Sequence, residues 1–499
     1  MRLGVKHANQ QTAVVRADFS GGLNLATTPD NIAENQLATA INLEIDHATG
    51  RLKTVGGTRD IIETADIFAF LYDRINDSFL IVKTDKSVYP CSRAGEVGET
   101  VGTISGKLYP IAAEWEDGLL IASGSKLQYF HNNTLETIES PTANSVYVRA
   151  GRVLITDDTQ IHYSGVGDET NWTEDTNDAS SSKFVEAGYK DGGKFIGMAS
   201  LSQDVLMFKD NRRVYRLSGE YPNWVISEVS RQVECKNRLA FADIANSVFV
   251  LGSNEAQTLA TTDAYGAMKP AAISALVASE IMRLPQNAKV RYVPPMAQVW
   301  FIGDAGNVLM FDLASQAWFM RKFNSPLLDV VCVDNDVYIV KSDRISVIDE
   351  ATFHDAGEPL EWKFQAQRLT SLHDYFLKRT QISVMPLASD IYSGQISVGA
   401  VVIDLPIPNY LLYIKNDESR IFLNRRRISE RGKAKGLYVP GERICEDMTI
   451  ISENSEPIYT RQTFIKESRN VYRSKFLSVG GFGMGGFILN SIIMDIAEV

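Results

Sequence analysis

Six basic residues crowd one short stretch of the chain: Arg425, Arg426, Arg427, Arg431, Lys433 and Lys435. A cluster of this kind either meets an acidic partner surface or DNA phosphates, or is a solvated loop. No aromatics are interleaved with it, so stacking recognition of single strands is not indicated. Elsewhere, Gly481, Gly483 and Gly486 spell GxGxxG. A dinucleotide fingerprint also needs a following helix and an acidic residue about 20 positions on. Only 13 residues follow Gly486, and they read as a strand. The glycines are better explained by close backbone approach. Gly102–Lys107 is one residue short of a phosphate loop, with Leu108 where Ser or Thr is required. No GxSxG elbow occurs, and the six histidines (7, 47, 131, 162, 354, 373) show no metal-ligand pairing. His131 and His162 sit at equivalent strand ends and read as structural. Cysteines 91, 235, 332 and 445 lie too far apart in sequence for zinc-ligand spacing. No catalytic, cofactor or metal site is expected.

The elements that must carry these residues come from an ordinary globular chain. It has 499 residues, 44% hydrophobic and 22% charged. Fifty Lys and Arg against 61 Asp and Glu leave a formal charge of −11, which argues against a protein that wraps DNA by neutralising phosphates. The opening MRLGVKHANQ has no apolar core of a secretory signal, and no run of 18 apolar residues occurs, so no membrane span is expected. Reduced cysteines and a cytoplasmic site of synthesis are the default expectation. Without export, the Asn-x-Ser/Thr triplets at Asn76, Asn132 and Asn171 carry little weight.

A repeat dominates the middle of the chain. Short apolar runs begin at Phe79, Leu119, Val153, Val205, Val248, Val299 and Val337, with a mean period of 43 residues. Each is followed, seven to nine residues later, by a second apolar run across a turn rich in Asp, Asn, Ser or Gly. Val, Ile, Phe and Tyr in runs of four to six residues, joined by such turns, are hairpin chemistry. A period of about 40–50 residues suits four-stranded propeller blades. The expectation is therefore an all-β chain with about seven blades over residues 58–365, six or eight staying open, and a β-sandwich array as the rival. Trp172, Trp224 and Trp318 read as packing residues between blades. One helix is expected between Pro270 and Pro285, from the spacing of Ile273, Leu276, Val277, Ile281 and Leu284, lying on its own propeller rather than docking a neighbouring chain.

The flanks lack the repeat. Residues 1–57 read as an arm with a short helix at Ile32–Ala40, needed for assembly rather than folding. Residues 366–499 read as a β-rich domain of sandwich or barrel type. The turn Ser164–Trp172 approaches, but does not match, the Ser-x-Asp-x-Gly-x-Thr-Trp turn of sialidase-type propellers. Glycoside chemistry needs two carboxylates about 5–10 Å apart, and sequence alone neither finds nor excludes such a pair.

Several stretches resemble one family. Asp18-Phe-Ser-Gly-Gly-Leu-Asn24, Pro29-Asp30-Asn31, Ala40-Ile-Asn42-Leu-Glu-Ile-Asp46 and Gly50-Arg-Leu-Lys53 are similar to the start of tail nozzle or hub proteins of short-tailed bacteriophages, also called packaged-DNA stabilisation proteins. Ile161–Trp172 and Phe208–Gly219 resemble blade turns of the same family. The resemblance covers most of the first 350 residues; the C-terminal domain shows no family motif. It implies a non-enzymatic virion protein, made in the host cytoplasm, with six copies ringed below the portal-adaptor protein. Tail fibre, tailspike or needle proteins would be its neighbours, and double-stranded DNA would pass through its channel without sequence readout. The competing classes are a propeller that binds or cleaves host cell-surface glycan, and a cytoplasmic scaffold.

If the basic cluster docks a partner, replacing Arg425, Arg426 and Arg427 by Ser weakens docking and leaves blade stability unchanged. A docking titration beside a thermal melt checks this; an unchanged titration assigns the cluster to solvent.

Overall fold

The computed structural model describes residues 11–387 apart from 220, 245 and 262–267. It also describes 393–399, 401–405, the short strands 413–414, 421–423, 426–427, 438–439 and 442–443, and residues 462–498. The fold is all-β: a seven-bladed β-propeller with an N-terminal arm and a C-terminal β domain. The chain divides into two compact units. One holds Asp60–Leu313 and Ser325–Ile348; the other holds Met1–Arg59, Ala314–Asn324 and Asp349–Val499.

In the first unit seven antiparallel sheets follow one another in chain order. Their innermost strands are Ile67–Asp73, Ile111–Trp115, Ser145–Arg149, Phe195–Leu201, Phe241–Ile244, Lys289–Val293 and Asp329–Val333. From the second to the seventh, each innermost strand touches the next, and the seventh touches the first, closing the ring. The seven apolar runs of the sequence are the second strands, and the runs after the turns are the third strands. The second strands Gly118–Ala122, Arg152–Thr156 and Gln298–Ile302 are buried at every position. Sheets cover such a strand on both faces, so its sequence is a continuous apolar run rather than an alternating one.

The blades meet through shared apolar cores. Leu80 and Val82 of the first blade pack with Leu119, Ile121 and Phe130 of the second. Phe70, Phe79 and Ile81 of the first pack with Tyr338, Val340 and Ile345 of the seventh. Phe79 stacks on Phe70 at 4.5 Å between ring centroids and meets Tyr338 at 4.8 Å. The seventh blade is completed from the other end of the chain. Asp60 accepts hydrogen bonds from Arg344 Nη1 (2.9 Å) and Ser346 Oγ (2.6 Å), and Thr64 N–H donates to the Asp343 carbonyl (3.1 Å).

Two helix expectations change. The segment Ile32–Ala40 is not a helix: Gln36–Ile41 is a strand, parallel to Gly22–Leu23 and antiparallel to Glu361–Ala366. So short a segment is marginal as an isolated helix, whereas strands on both sides satisfy its backbone. In the fifth blade, Met268–Ala272 is the outermost strand. The helical part shrinks to a 3-10 turn at Ala275–Val277 and an α-helix at Ala278–Arg283. Val277 and Ile281 are buried, and the Leu284 carbonyl accepts from Lys236 Nζ at 2.6 Å, so the helix lies on its own propeller.

In the second unit the arm and the C-terminal strands share sheets. Gln11–Arg16 pairs with Phe487–Glu498, which also pairs with Arg51–Thr54 and Leu369–Pro386. Glu361–Ala366, expected at the end of the propeller, belongs here, between Gln36–Ile41 and Val479–Met484. Phe19, Leu37, Leu43 and Leu52 are buried in this unit, so the arm is part of a folded core.

Replacing Phe79 by Ala removes the ring that joins the first and seventh blades. A loss of about 3–5 kcal/mol is expected. Val225→Ala, at a 57% exposed position, is expected to change stability by less than about 0.5 kcal/mol. Urea unfolding of the two variants checks the contrast.

Candidate functional site

Of the basic cluster, Arg425, Arg431, Lys433 and Lys435 lie outside the described residues. Arg426–Arg427 form a two-residue strand opposite Phe422 and Leu423. The GxGxxG glycines lie on Val479–Met484 and in the turn after it, between strands on both sides, with no helix following. A Cβ on Gly483 would stand 2.2 Å from the Ser393 carbonyl oxygen, and one on Gly486 would stand 2.1 Å from the Phe353 ring. These glycines serve close packing.

The Ser164–Trp172 turn is held by backbone chemistry. Asp168 Oδ1 accepts from Thr170 N and Asn171 N at 2.9 and 3.2 Å, and Trp172 Nε1 donates to the Glu169 carbonyl at 2.7 Å. Buried Arg152 anchors the long excursion that follows. Its Nη1 donates to the carbonyls of Ser164 (2.7 Å) and Ser181 (2.9 Å), and Nη2 to that of Ala179 (2.8 Å). His162 Nε2 lies 3.0 Å from Asp157 Oδ2, and His131 stacks on Tyr129 at 4.5 Å, so both rings are engaged in local structure.

The arm residues that carry part of the resemblance form joints in the second unit. Asn42, in the left-handed region at φ 55°, donates from Nδ2 to the carbonyls of Glu361 (2.7 Å) and Lys322 (3.2 Å). Its Oδ1 accepts from Lys322 N–H at 2.7 Å. Asn24 Nδ2 donates to Gln36 Oε1 at 2.7 Å. Asp30 receives a two-pronged contact from Arg368 at 2.7 and 2.8 Å. Asp46 and Gly50 close the hairpin of Leu43–Asp46 and Arg51–Thr54 through a 2.7 Å backbone bond. Gly22 adopts φ 60°, and a Cβ there would stand 2.7 Å from Ala317 Cβ.

A second site lies in the propeller unit and was not legible from motifs. The innermost strands and the segments leading into them line a partly open cavity of about 310 Å³. One wall carries a buried ionic cluster. The Asp329 carboxylate accepts from Tyr109 Oη (2.6 Å), Arg291 Nε and Nη2 (2.9 and 3.0 Å) and Lys289 Nζ (3.1 Å). Burial works to raise the Asp329 pKa, but the charges of Arg291 and Lys289 outweigh it and hold the carboxyl well below the usual range. Burial likewise pulls the Lys289 ammonium down to about 8, despite Asp329. The partners come from three blades and are far apart in sequence. The one available signal was a charge inside an otherwise apolar innermost strand, at Lys289, Arg291 and Asp329.

A second cation, Arg238, lines the same cavity. Its Nη1 donates to the Asn144 carbonyl, and its Nη2 is buried without a hydrogen-bond partner. Burial alone lowers its pKa to about 10. Among the described residues Asp329 is the one acidic group lining the cavity, and it is already taken by other donors.

Burial pushes the Cys91 thiol up to about 11 and that of Cys332 to about 12, so neither is a ready thiolate. Among the described residues no group of three or more His, Cys, Asp or Glu is placed to hold a metal ion, and no helix is long and apolar enough to cross a membrane.

No protein-family description matches the chain. No curated protein matches it. Many solved structures are similar in backbone, and two of them serve as examples. BamB from Moraxella catarrhalis is 11% identical, with 63% of this chain and 96% of that chain covered at a TM-score of 0.40. The Pan2 WD40 domain from Neurospora crassa is 9% identical, with 58% and 94% covered at a TM-score of 0.41.

Asp329→Asn leaves Arg291 and Lys289 without their carboxylate. A loss of about 3–5 kcal/mol at neutral pH is expected. A depressed folded pKa adds stability that is complete above the unfolded value of about 3.9 and is lost as pH falls through the folded value. Wild-type stability should therefore fall as pH drops below about 4, and the variant should show a shallower fall. Urea midpoints between neutral and acid pH check both slopes; parallel slopes refute the assignment.

Proposed function

We propose that the chain is a structural virion protein, the tail nozzle or hub of a short-tailed bacteriophage. In this reading six copies form a ring below the portal-adaptor protein. The ring closes the DNA channel, retains the packaged genome and conducts it during ejection. The chain has no reaction of its own.

One observation supports this reading above the others. The arm residues that resemble the family are where that unit is joined: Asn42 ties together three segments, Asp30 clamps Arg368, and Gly22 lets the backbone pass close to Ala317. A motif spent on joints belongs to a protein whose product is its shape. The charge agrees with a conduit. Six chains of formal charge −11 make an acidic assembly, which discourages a duplex from sticking. Screening over about 8–10 Å confines that repulsion to short range. Arg425–Arg427 and their basic neighbours are then candidates for docking the adaptor or a tail fibre.

The test is localisation and stoichiometry. Gold-labelled antibody should mark the tail tip of particles, and quantitative mass spectrometry should find about as many copies as other six-fold tail proteins. Native mass spectrometry of the purified chain with adaptor should show a species of six times 55.4 kDa. Absence from particles overturns the reading, and affinity for cell-surface polysaccharide would then favour the glycan-binding alternative.

A further inference from the structure

The two ends of the propeller differ in charge. Successive strands of a blade are antiparallel, so its first and third turns lie at one end. Its second turn and the link to the next blade lie at the other. The link from the second blade to the third is the single residue Asn144, so neighbouring blades point the same way. Side-chain contacts agree. Arg93, in the third turn of the first blade, meets Asp77 in the first turn of that blade at 3.2 Å and Asp334 in the first turn of the seventh at 3.0 Å. Trp115 Nε1, beside the first turn of the second blade, donates to Glu169 in the third turn of the third at 2.9 Å. Among the described residues, the turns at this end hold eleven Asp and Glu against two bases, Arg74 and Arg93. The turns and links at the other end hold twelve acids against eleven bases. The imbalance therefore belongs to one end and not to the composition of the propeller as a whole. All eleven acids lie on the seventh, first, second and third blades, which pack on one another in turn.

The chain also carries a complement to this surface. Residues 425–435 hold six bases and one acid, Glu430. We propose that the acidic end of the propeller docks the basic run 425–435 of a neighbouring copy. The inference rests on the ring of copies proposed above. A ring closes head to tail when each copy offers two different patches that fit one another. One acidic and one basic patch on the same chain meet that requirement. Two acidic ends repel, so pairing of like end with like end is opposed. Glu96, Glu99 and Glu116 are exposed, and among the described residues nothing pairs with their side chains. A guanidinium fork fits such carboxylates. Single exposed pairs add little, so the effect depends on the patch as a whole.

The test uses the full chain. One variant changes Glu96, Glu99 and Glu116 to Lys, a second changes Arg425, Arg426 and Arg427 to Glu, and a third carries both sets. A control changes Glu186, Glu255 and Asp304, at the other end, to Lys. Sedimentation at low and high salt reads self-association. Native association should weaken as salt rises. The first and second variants should associate about tenfold more weakly or worse, the third should recover most of the loss, and the control should stay within about threefold. Carbodiimide cross-linking of mixed unlabelled and isotope-labelled chains should join Lys433 or Lys435 of one copy to acids of the propeller of another. If a variant fails to fold, the cross-links of the native chain still decide. Equal losses in the control and the first variant, no recovery in the third, or cross-links confined to single copies overturn the proposal. Cross-links from 425–435 to an adaptor or fibre protein alone also overturn it and leave the ring standing, whereas absence from particles overturns the ring itself.

Discussion

A propeller must close. Each blade offers two apolar faces, and both must be covered, so the first and last blades have to find each other across the whole repeat. Here Phe70, Phe79 and Ile81 on one side meet Tyr338, Val340 and Ile345 on the other. Asp60, brought from before the first blade, takes the side chains of Arg344 and Ser346 in the last. Without that seam two sheet faces would stand in water, each a contiguous apolar patch of the kind soluble proteins rarely expose. The other blade cores are local by comparison.

This constraint explains what could be read from residues alone. A strand buried on both faces is apolar through its middle, so Leu119–Ala122 and Val153–Ile155 stand out as apolar runs, and their period counts the blades. Outer strands lack that signal: Thr134–Ala143 is exposed or half-buried except at Ile138 and Ala143, and Lys183–Val185 is three residues long. Gln36–Ile41 forms a strand rather than the expected helix because it pairs with Gly22–Leu23, with Met320 at Ile41 and with Glu361–Ala366, and the pairings across most of the chain leave no local trace. The same holds for the Asp329 cluster, whose four members span three blades. Arg238 was harder still, since what marks it is a partner it does not have.

Charge is placed inside the propeller unit at points where it is fully used. Arg152 and the pair Lys209–Asp191 are satisfied: three carbonyls hold the first, and a 2.6 Å ion pair with a further bond to the Ala187 carbonyl holds the second. Each pins an excursion that has few apolar residues of its own to bury. Such groups add little net stability compared with an apolar replacement, yet breaking one partner is costly, so they act chiefly on which conformation is selected. The joints at Asn42 and Asn24 work in the same way in the other unit, without charge.

The pairing of Gln11–Arg16 with Phe487–Glu498 has a consequence for synthesis. On a ribosome Gln11–Arg16 emerges long before its partner Phe487–Glu498. At roughly 5–20 residues per second the delay is on the order of half a minute or more. During that time every blade can fold behind the waiting strand, whereas the strand it will pair with has yet to be made. The order of emergence thus runs opposite to the order of closure. The strand that stays longest without its neighbour includes Val14 and the exposed Val15, and its open edge is available to any other chain being made nearby.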